Sequence, residues 1–418
     1  PLTTAEDSVL LVQITDSHLF AEADGRLLGL DTHDSLGKVV DLVLAEQPVI
    51  DLALATGDLS QDGSVASYQR FREQSSRLRA PIRWCPGNHD ELTAMRAVAD
   101  PERLLEPVAE VGAWRVVLLD TLGCAMTGAG TEEVALIRRA MTQANGPGGD
   151  AMFWGTHDKA PLPLAALANG AAVHAREIDD FGGCAHSGSV VIPAALATAE
   201  RCGASGARLL LGLIAGYEAM TRAGRGIGEA GWGFHITGVA GPVGAAVASG
   251  VVQGLSFDQV MRAIGIACSS SSGIKSFTQG SGGMVKRMHA GRAAETGVLA
   301  CELAQRGFTG PLAAIDGHFG LIEVIGGSDT AVNALTDKLG EDYAISRVWV
   351  KAYPCCGLIH SVSNAIETIK LESALTPADV KRIVVHTSKR AVDHNGDPDP
   401  QETMAAQYSI PYCAGAAV

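Results

Sequence analysis

The sequence predicts a multidomain protein: an α/β sheet over about the first 120 residues, then a mainly α-helical domain with a smaller α+β domain. Three observations support this prediction. The chain has 418 residues, which exceeds one ordinary domain. Strand-like and helix-like segments alternate before residue 120. After that point apolar residues recur at three- and four-residue spacing, as on one face of a helix.

Composition excludes several classes of function. Hydrophobic residues make up 47% of the chain and charged residues 19%, which is enough apolar surface for a buried core. With a net charge of −14, we expect neither nucleic-acid binding nor attachment to an anionic membrane. The longest apolar run, Leu209–Ala215, is too short to cross a membrane. The nine cysteines lack C-x-x-C spacing, which predicts a reducing, cytoplasmic location.

In the first segment, the order of predicted elements is typical of a layered α/β fold. Val9–Ile14 is a continuous apolar run, as in a strand that is buried on both faces. The other predicted elements are helices at Leu36–Ala45 and Ser67–Leu78 and strands at Ile50–Ala55, Ile82–Cys85 and Trp114–Leu119.

Short polar clusters follow three of these strands, at Asp16-Ser17-His18, Gly57-Asp58 and Gly87-Asn88-His89-Asp90. In open α/β sheets, ligands bind at the carboxyl ends of the strands. Carboxylates, an amide oxygen and imidazoles that meet there suit a pair of divalent transition metals. A single Asp after a strand is more often a helix N-cap. Three clusters in succession favour a metal site instead.

The string D-x-H … G-D … G-N-H-D resembles that of the calcineurin-like metallophosphoesterases, and the residues around it resemble the bacterial cyclic-AMP phosphodiesterases among them. The resemblance implies two divalent metals of the Fe or Mn type and a cyclic nucleotide substrate. It also implies that Asp16, His18, Asp58 and Asn88 are metal ligands and that His89 assists the leaving group. The family completes its site with a further His and a G-H-x-H element, and this sequence has no G-H-x-H. We therefore expect a truncated sheet with weak metal binding and little hydrolysis.

The sequence changes character near residue 120. The string "WRVVLLD", residues 114–120, continues the phosphoesterase pattern, and a different pattern begins at Thr121. No Pro/Ser tract or charge run separates the two. Natural fusions normally join complete domains through exposed connections. A junction inside a predicted strand therefore indicates recombination, misassembly or deliberate engineering.

Helical periodicity dominates the rest of the chain. The predicted helices are Glu132–Gln143, Leu162–Glu177, Val191–Ala199, Ala207–Thr221, Val243–Val252, Phe257–Cys268 and Gly283–Gln305. Two strand-like segments come later, at Arg347–Tyr353 and Lys381–Thr387. A helical domain followed by a smaller α+β domain is the expected result.

Polar residues interrupt this apolar segment at four places. They are Glu177–Asp180 with His186, Trp232–His235, Lys286–His289 with Arg292, and Lys351–Cys356. Cations and imidazoles in this arrangement suit a polycarboxylate substrate, and a tuned imidazole or carboxylate could abstract a proton next to a carboxylate. Structural roles compete with this interpretation. The paired Asp residues could cap a helix, the Lys-Arg pair could form a solvated face, and the paired Cys residues are more typical of packed core.

Long strings in this segment, among them "HAREIDDF", "VKRMHAGRAAETG" and "VKAYPCC", resemble the MmgE/PrpD family. That family includes 2-methylcitrate dehydratases, cis-aconitate decarboxylases and an iminodisuccinate epimerase. The resemblance implies a small di- or tricarboxylate substrate, no cofactor and a homo-oligomer. It further implies a site made of Asp179, Asp180, His186, His235, Lys286, His289, Lys351 and Tyr412.

By that resemblance, His235 transfers the proton and has Asp180 and His186 as partners. Lys286 and Lys351 then hold carboxylates of the substrate, and a tyrosine at position 412 lies near the pocket.

Two positions bear on the type of reaction. Phe181 stands where some relatives carry Thr, and Cys356 stands where decarboxylating relatives carry His. Both differences favour a dehydratase or an epimerase over a decarboxylase.

The expected domains are a partial metallophosphoesterase over residues 1–120, a helical MmgE/PrpD domain over 121–310, and an α+β lid domain over 311–418 that we expect to be cut at its C-terminal end. Three hypotheses remain open. The first is a cofactor-free carboxylate lyase or isomerase of the 2-methylcitrate dehydratase type, which we favour because its implied site is complete. The second is a metal-dependent cyclic-nucleotide phosphodiesterase with an incomplete site. The third is a non-functional hybrid of two truncated enzymes.

Overall fold

A computed structural model of the protein describes residues 10–47, 49–56, 58–84, 90–98, 110–111, 114–115, 117–278, 282–326, 332–373 and 376–418. The chain divides into two compact units, Pro1–Val116 and Val117–Val418. The junction therefore falls four residues before the position that the sequence suggests, residue 120.

The first unit is built on a three-stranded parallel sheet of order β1-β4-β5, with Leu11 opposite Leu52 and Ala53 opposite Ile82. Its strands are β1 (Leu11–Thr15), β2 (Arg26–Leu27), β3 (Leu30–Asp31), β4 (Leu52–Thr56), β5 (Ile82–Trp84), β6 (Glu110–Val111) and β7 (Trp114–Arg115), and its helices are α1 (Thr32–Glu46), α2 (Val65–Ser76) and α3 (Leu92–Val98). The predicted strand-helix alternation is confirmed up to β5.

Local signals position the helices of this unit. The Asp31 side chain accepts a hydrogen bond from the Asp34 amide at 2.9 Å and caps α1. Ser64 caps α2 in the same way. Behind the sheet, Phe71 packs edge-on against Trp84 with ring centroids 5.1 Å apart. These contacts hold the helices on the sheet and leave the carboxyl ends of β1 and β4 free to carry polar loops.

The predicted strand Trp114–Leu119 is wrong beyond its first two residues. Only Trp114–Arg115 is a strand, and helix α4 (Val117–Gly128) begins two residues later. Leu118, Leu122 and Ala125 recur at helical spacing and pack on the core of the second unit. A short apolar run is compatible with either a buried strand or a buried helix. Here the run forms a helix, because that conformation packs its apolar residues on the core of the second unit.

The second unit is mainly helical. Its principal helices after α4 are α5 (Glu132–Asn145), α6 (Leu162–His174), α7 (Gly188–Cys202), α8 (Gly206–Ile227), α9 (Ile236–Gln253), α10 (Phe257–Ser269), α11 (Met284–Gln305), α12 (Leu321–Ile325), α13 (His360–Ser373), α14 (Lys389–Asn395), α15 (Thr403–Gln407) and α16 (Ile410–Ala416). A two-stranded hairpin pairs β8 (Ala151–Met152) with β9 (Lys159–Ala160). All the helices predicted between residues 132 and 305 are confirmed as elements.

Small residues allow the central helices of this unit to approach closely. A Cβ atom added at Gly170 of α6 would lie 2.9 Å from the Cα of Gly291 in α11. A Cβ at Gly291 would in turn overlap the carbonyl oxygen of Leu167. This close crossing fixes the start of α11 beside the loop that follows α6, where the polar residues of the unit collect.

Helix α9 differs from expectation in one respect. Over Ile236–Gln253 it is long and apolar enough to cross a membrane by length and composition, with a mean hydropathy of 1.4. However, 78% of it is buried inside the protein, where it packs against α8 and α11. That burial is the pattern of a core helix.

The α+β character predicted for residues 311–418 is not found, because the described residues of this range contain no strand. In the first predicted strand only Trp349 pairs, in an isolated antiparallel bridge with Phe181. The second, residues 381–387, has no regular secondary structure, and only Val385 of this stretch packs on the local core. A strand needs a neighbour to satisfy its backbone groups, and the described residues of this range provide none.

Candidate functional site

In the first unit, the loops after β1 and β4 bring Asp16, His18 and Asp58 together. One potential ligand atom from each lies within 4.8 Å of the others. The His18 amide donates to the carbonyl oxygen of Asp58 at 2.9 Å, which ties the two loops. Asp16 and His18 both have positive φ angles, 53° and 44°, a strained conformation for residues with a side chain. Two carboxylates and an imidazole at these positions fit a divalent transition metal.

In the third predicted cluster, Gly87-Asn88-His89-Asp90, the described residue Asp90 supports a loop. Asn88 and His89 lie outside the described residues. Asp90 accepts hydrogen bonds from the Ser60 amide at 2.9 Å and from the Tyr68 hydroxyl at 3.0 Å. It therefore braces the loop after β4, next to the candidate metal ligands.

The second unit carries a larger polar cluster, whose centre is Glu177 in the loop between α6 and α7. Glu177 is fully buried and has a left-handed φ of 58°. Its Oε1 contacts Lys286 Nζ and an Arg287 guanidinium nitrogen, and its Oε2 accepts from Lys351 Nζ at 2.9 Å. One carboxylate thus holds three cations from α11 and from the segment near residue 351.

Asp179 lies two residues further along the loop and joins two imidazoles. Its Oδ2 is 2.8 Å from His174 Nδ1 and 3.3 Å from His186 Nδ1. All three are buried. Potential ligand atoms of the three residues lie within 4.8 Å of one another, close enough to hold a metal ion. However, Asp179 already forms a hydrogen bond with His174 through these atoms. This arrangement orients both rings instead.

Asp180 occupies a different environment from its neighbour. It accepts hydrogen bonds from the Gly188 amide at 2.8 Å and from the Tyr217 hydroxyl at 2.9 Å. Burial, and then the charge of Asp179, raise the pKa of Asp180 to about 7. Burial and the same two carboxylates raise the pKa of Asp120, in the first turn of α4, to about 8.

The sequence suggests Asp180 and His186 as partners of His235. In the structure the His186 ring lies 6.4 Å from that of His235 between centroids. Nδ1 of His186 lies 3.1 Å from the backbone carbonyl oxygen of Asp180 and 3.3 Å from Oδ2 of Asp179.

His235 precedes α9 and faces α11. Its Nδ1 lies 3.2 Å from Nδ1 of His289, and its ring stacks on that of His174 at 5.6 Å between centroids. Phe277 packs edge-on against both His235 and His289, at 5.5 and 5.7 Å. Burial, followed by the charge of Lys286, holds the pKa of His235 well below its usual range. His235 is therefore a neutral imidazole with capacity for a proton.

The cluster contains ionised groups of both signs. Burial alone would raise the pKa values of Glu177 and Asp179, but their basic partners outweigh it and hold both pKa values well below the usual range. Burial lowers the pKa of Lys286 to about 8, while Glu177 opposes that shift and keeps the amine largely protonated at neutral pH. For Lys351 the attraction of Glu177 and Asp179 exceeds the effect of burial, and its pKa is raised. Glu177 and Asp179 face three cations, Lys286, Arg287 and Lys351, and Glu133 lies 4.0 Å from Arg287. The cluster as a whole is thus close to neutral, and its two lysines are the groups that could meet an anionic ligand.

The structure brings together all but one of the residues that the second resemblance implies. The exception is Tyr412 in α16, which is 53% exposed. Tyr408, at the end of α15, takes the place next to the cluster, with Lys286 Nζ 5.2 Å from its ring centroid. The two tyrosines belong to different elements, because Ser409 caps α16 between them.

Sequence reasoning singled out Glu177 but missed three further members of the cluster. His174 had a usable signal, since it is a polar residue at the end of an otherwise apolar, Ala-rich helix and must find a partner when buried. Tyr217 and Asp120 had no such signal in the sequence, because only the fold brings these two residues close to Asp180.

Comparison with known protein families divides the chain in the same way. The calcineurin-like phosphoesterase model matches residues 9–124. The MmgE/PrpD N-terminal domain matches residues 101–333, and the MmgE/PrpD C-terminal domain matches residues 353–418. The boundary between the two structural units lies where the first two matches overlap.

Individual relatives fall into two groups. The 3',5'-cyclic adenosine monophosphate phosphodiesterase CpdA of Pseudomonas aeruginosa is 54% identical over 146 residues, which are 34% of this chain and 53% of that protein. The Escherichia coli K12 protein of the same name is 41% identical over 119 residues, 28% of this chain and 43% of that protein. The cis-aconitate decarboxylase of Aspergillus terreus is 29% identical over 322 residues, 71% of this chain and 65% of that protein. The chain thus spans between 43% and 65% of these relatives, and two unrelated families share it.

Proposed function

The chain belongs to the MmgE/PrpD family, fused to a calcineurin-like phosphoesterase region, and on that premise we propose that its second unit is a lyase or isomerase of a small di- or tricarboxylate. The proposed reaction begins with removal of a proton next to a carboxylate. One observation carries the proposal: a neutral His235 lies in a buried cluster with Lys286 and Lys351, which Glu177 holds.

The cations supply the driving force in this proposal. A carboxylate of the substrate approaches Lys286 and Lys351, which Glu177 holds in place. Charge builds up on the substrate as the proton leaves, and fixed cations in a buried site stabilise that charge without reorganising. The ionised Glu177 keeps both lysines oriented toward one point before the substrate arrives.

His235 takes the proton. Burial and the charge of Lys286 keep its imidazole neutral, so a nitrogen lone pair is available at neutral pH. His174 stacks on the ring, and Asp179 orients His174 through a 2.8 Å hydrogen bond. In this proposal Asp180 and His186 support the loop rather than contact the substrate.

Within this class we favour a dehydratase of the 2-methylcitrate type or an epimerase. The buried thiol at Cys356 supports this choice, because burial raises its pKa and keeps it uncharged beside Lys351. A thiol with a raised pKa is a poorer proton donor at neutral pH than the protonated imidazole expected of decarboxylating relatives. The Aspergillus relatives are named as cis-aconitate decarboxylases, so decarboxylation is the competing outcome of the test.

The test is proton NMR in D₂O with citrate, 2-methylcitrate, cis-aconitate and iminodisuccinate as probes. We expect exchange of the proton next to a carboxylate, or loss of water, in at least one of them. His235→Gln should lower the rate at least 100-fold, within the usual contribution of a general base. His318→Gln is the matched control, since His318 is exposed and pairs with Glu323. Release of CO₂ would replace the dehydratase proposal by decarboxylation, and no change in any probe would refute the proposed function.

A second candidate function rests on the Asp16–His18–Asp58 group in the first unit. We propose that these residues hold a divalent metal, which would supply a Lewis acid and an activated water when bound. The missing late histidines predict weak binding and no turnover. Titration with Mn²⁺ should show weak binding that Asp58→Ala removes and that Asp24→Asn, at an exposed position, leaves unchanged. Hydrolysis of cyclic AMP above background that depends on His89 would contradict the expectation of no turnover.

A further inference from the structure

A cavity of about 280 Å³ opens beside His289 of the His235–His289 pair. His289 lines it, together with the serine-rich turn at Ser270 and Ser272, and with Met288 and Arg292 of α11. His235 is absent from the described lining and lies one hydrogen bond behind His289. The cavity is large enough for several water molecules.

The contact between the two rings restricts where their protons can be. Two Nδ1 atoms 3.2 Å apart can form a hydrogen bond only if one carries a hydrogen and the other a lone pair. Burial, followed by the charge of Lys286, lowers the pKa of His289 to about 4. The pKa of His235 is also lowered, so both rings are neutral near pH 7. The two imidazoles must therefore be opposite tautomers.

Among the described residues, an apolar ring and a backbone turn pack against this connection. Phe277 covers both rings with an apolar edge. The carbonyl oxygen of Gly273 accepts a hydrogen bond from the His235 amide at 2.8 Å. A Cβ atom added at Gly273 would lie 3.4 Å from His289 Nδ1. The turn at residues 270–275 therefore packs directly on the pair. Among the described residues, the His289 ring is the polar group that links His235 to the cavity.

We infer that His289 is a proton relay between His235 and water in this cavity. The inference rests on the proposed function of the second unit. His235 Nε2 takes the proton from the substrate carbon while its Nδ1–H passes to Nδ1 of His289. The Nε2–H of His289 is released to water in the cavity. One proton enters and one leaves, and the C–H bond electrons remain on the substrate. The reverse sequence returns a proton to the same carbon, as exchange of that proton with water requires.

The proton positions can be tested without any activity. Nitrogen NMR of the full chain labelled with ¹⁵N-histidine, assigned with His235→Gln and His289→Gln variants, distinguishes protonated from unprotonated ring nitrogens. We expect His235 to be protonated at Nδ1 and His289 at Nε2. Protonation of His289 at Nδ1, or of both rings at Nε2, would overturn the relay, whether or not a substrate is known.

The kinetic test uses chemical rescue. His289→Ala adds space to an existing cavity, and we expect it to slow proton exchange 10- to 100-fold through kcat, with KM unchanged. Imidazole should restore the rate, because it has both a lone pair and an N–H. By contrast, 1-methylimidazole should not, because it has no N–H to pass on. Met288→Ala enlarges the same cavity and should neither slow the reaction nor respond to imidazole.

Two results would refute the relay here: an unimpaired His289→Ala enzyme, or equal rescue by both imidazoles. If wild-type protein exchanges no proton in any probe, the proposed function fails, and the NMR measurement still decides the relay geometry.

Discussion

At the scale of single residues, Glu177 organises the site. A buried carboxylate is unfavourable unless it is paired, and Glu177 is paired with three cations at once. Its left-handed φ of 58° costs about 1–3 kcal/mol. The surrounding ion pairs offset this cost. The loop conformation and the lysine positions therefore depend on each other.

Replacing this carboxylate should destabilise the second unit. Glu177→Gln removes the counter-charge that Lys286, Arg287 and Lys351 share in a buried site, and we expect a loss of about 3–5 kcal/mol in the free energy of unfolding. Urea unfolding followed by far-UV circular dichroism measures this loss, because the helices of the second unit dominate the signal. Glu372→Gln, at an exposed position, should change stability by less than about 0.5 kcal/mol. Equal stability of the two variants would contradict the role of Glu177.

The raised pKa of Asp180 implies that the stability of the second unit depends on pH. The folded carboxyl titrates at about 7, whereas an unfolded Asp titrates at about 3.9. Between these values the folded state keeps a proton that the unfolded state has lost, so this contribution to stability is present below about pH 4 and is lost as pH rises to 7. The loss is about 4 kcal/mol at most.

The matching variant is Asp180→Asn, which mimics the protonated carboxyl at every pH. Unfolding free energies measured at pH 5, 6, 7 and 8 should fall less steeply with pH in this variant than in the wild type. Asp258→Asn, at an exposed position, should follow the wild-type curve. Parallel curves for Asp180→Asn and the wild type would show that Asp180 is ionised in the folded protein.

At the scale of elements, the close contact between α4 and α6 decides where the second unit begins. Gly128 lies at the end of α4, and a Cβ atom there would overlap the carbonyl oxygen of Ala172 in α6. Gly123, in the same helix, has nothing within 4 Å of an added Cβ. A substitution at Gly123 therefore tests helix propensity alone, whereas the same substitution at Gly128 also tests the packing of α4 on α6.

We expect opposite effects from the same substitution at these positions. Gly128→Ala should destabilise the second unit by about 1–3 kcal/mol, because the helices must move apart. Gly123→Ala should stabilise it by up to about 1 kcal/mol, since Ala favours a helix. Urea unfolding of both variants provides the comparison. If Gly128→Ala is as stable as Gly123→Ala, α4 does not pack on α6 as described.

At the scale of the whole molecule, the second unit leaves apolar side chains in water. Phe308, Leu312, Phe319 and Val324 are between 58% and 77% exposed, and we call residues 308–324 the apolar segment. Clustered exposed apolar residues mark association surfaces in soluble proteins. They agree with the homo-oligomer that the sequence suggests, which stays a prediction.

We therefore expect the purified chain to self-associate. Leu312→Ser combined with Phe319→Ser should reduce the mass measured by light scattering, whereas Phe257→Ser, outside the apolar segment, should reduce it less. A monodisperse monomer that melts cooperatively above about 55 °C, within the range of ordinary stable domains, would contradict this expectation. It would mean that the exposed side chains need no partner.

The sequence by itself determined the two-part organisation and the central helices. Between residues 132 and 305 the apolar period is sustained over many turns, and such long periodic segments specify their own structure. The residues that resemble family motifs were equally visible, because Asp179, His186, His235 and Lys286 are polar groups in apolar surroundings.

Only the tertiary structure decided the rest. The run after Trp114 became a helix because α6 offered a packing surface, and residues 381–387 formed no strand because the described residues of the lid range offered no partner. The tertiary structure alone also placed Tyr408 rather than Tyr412 beside Lys286 and gave Asp180 a pKa near that of an imidazole. Each of these outcomes depends on groups far apart in sequence, and burial and Coulomb interactions act through space rather than along the chain.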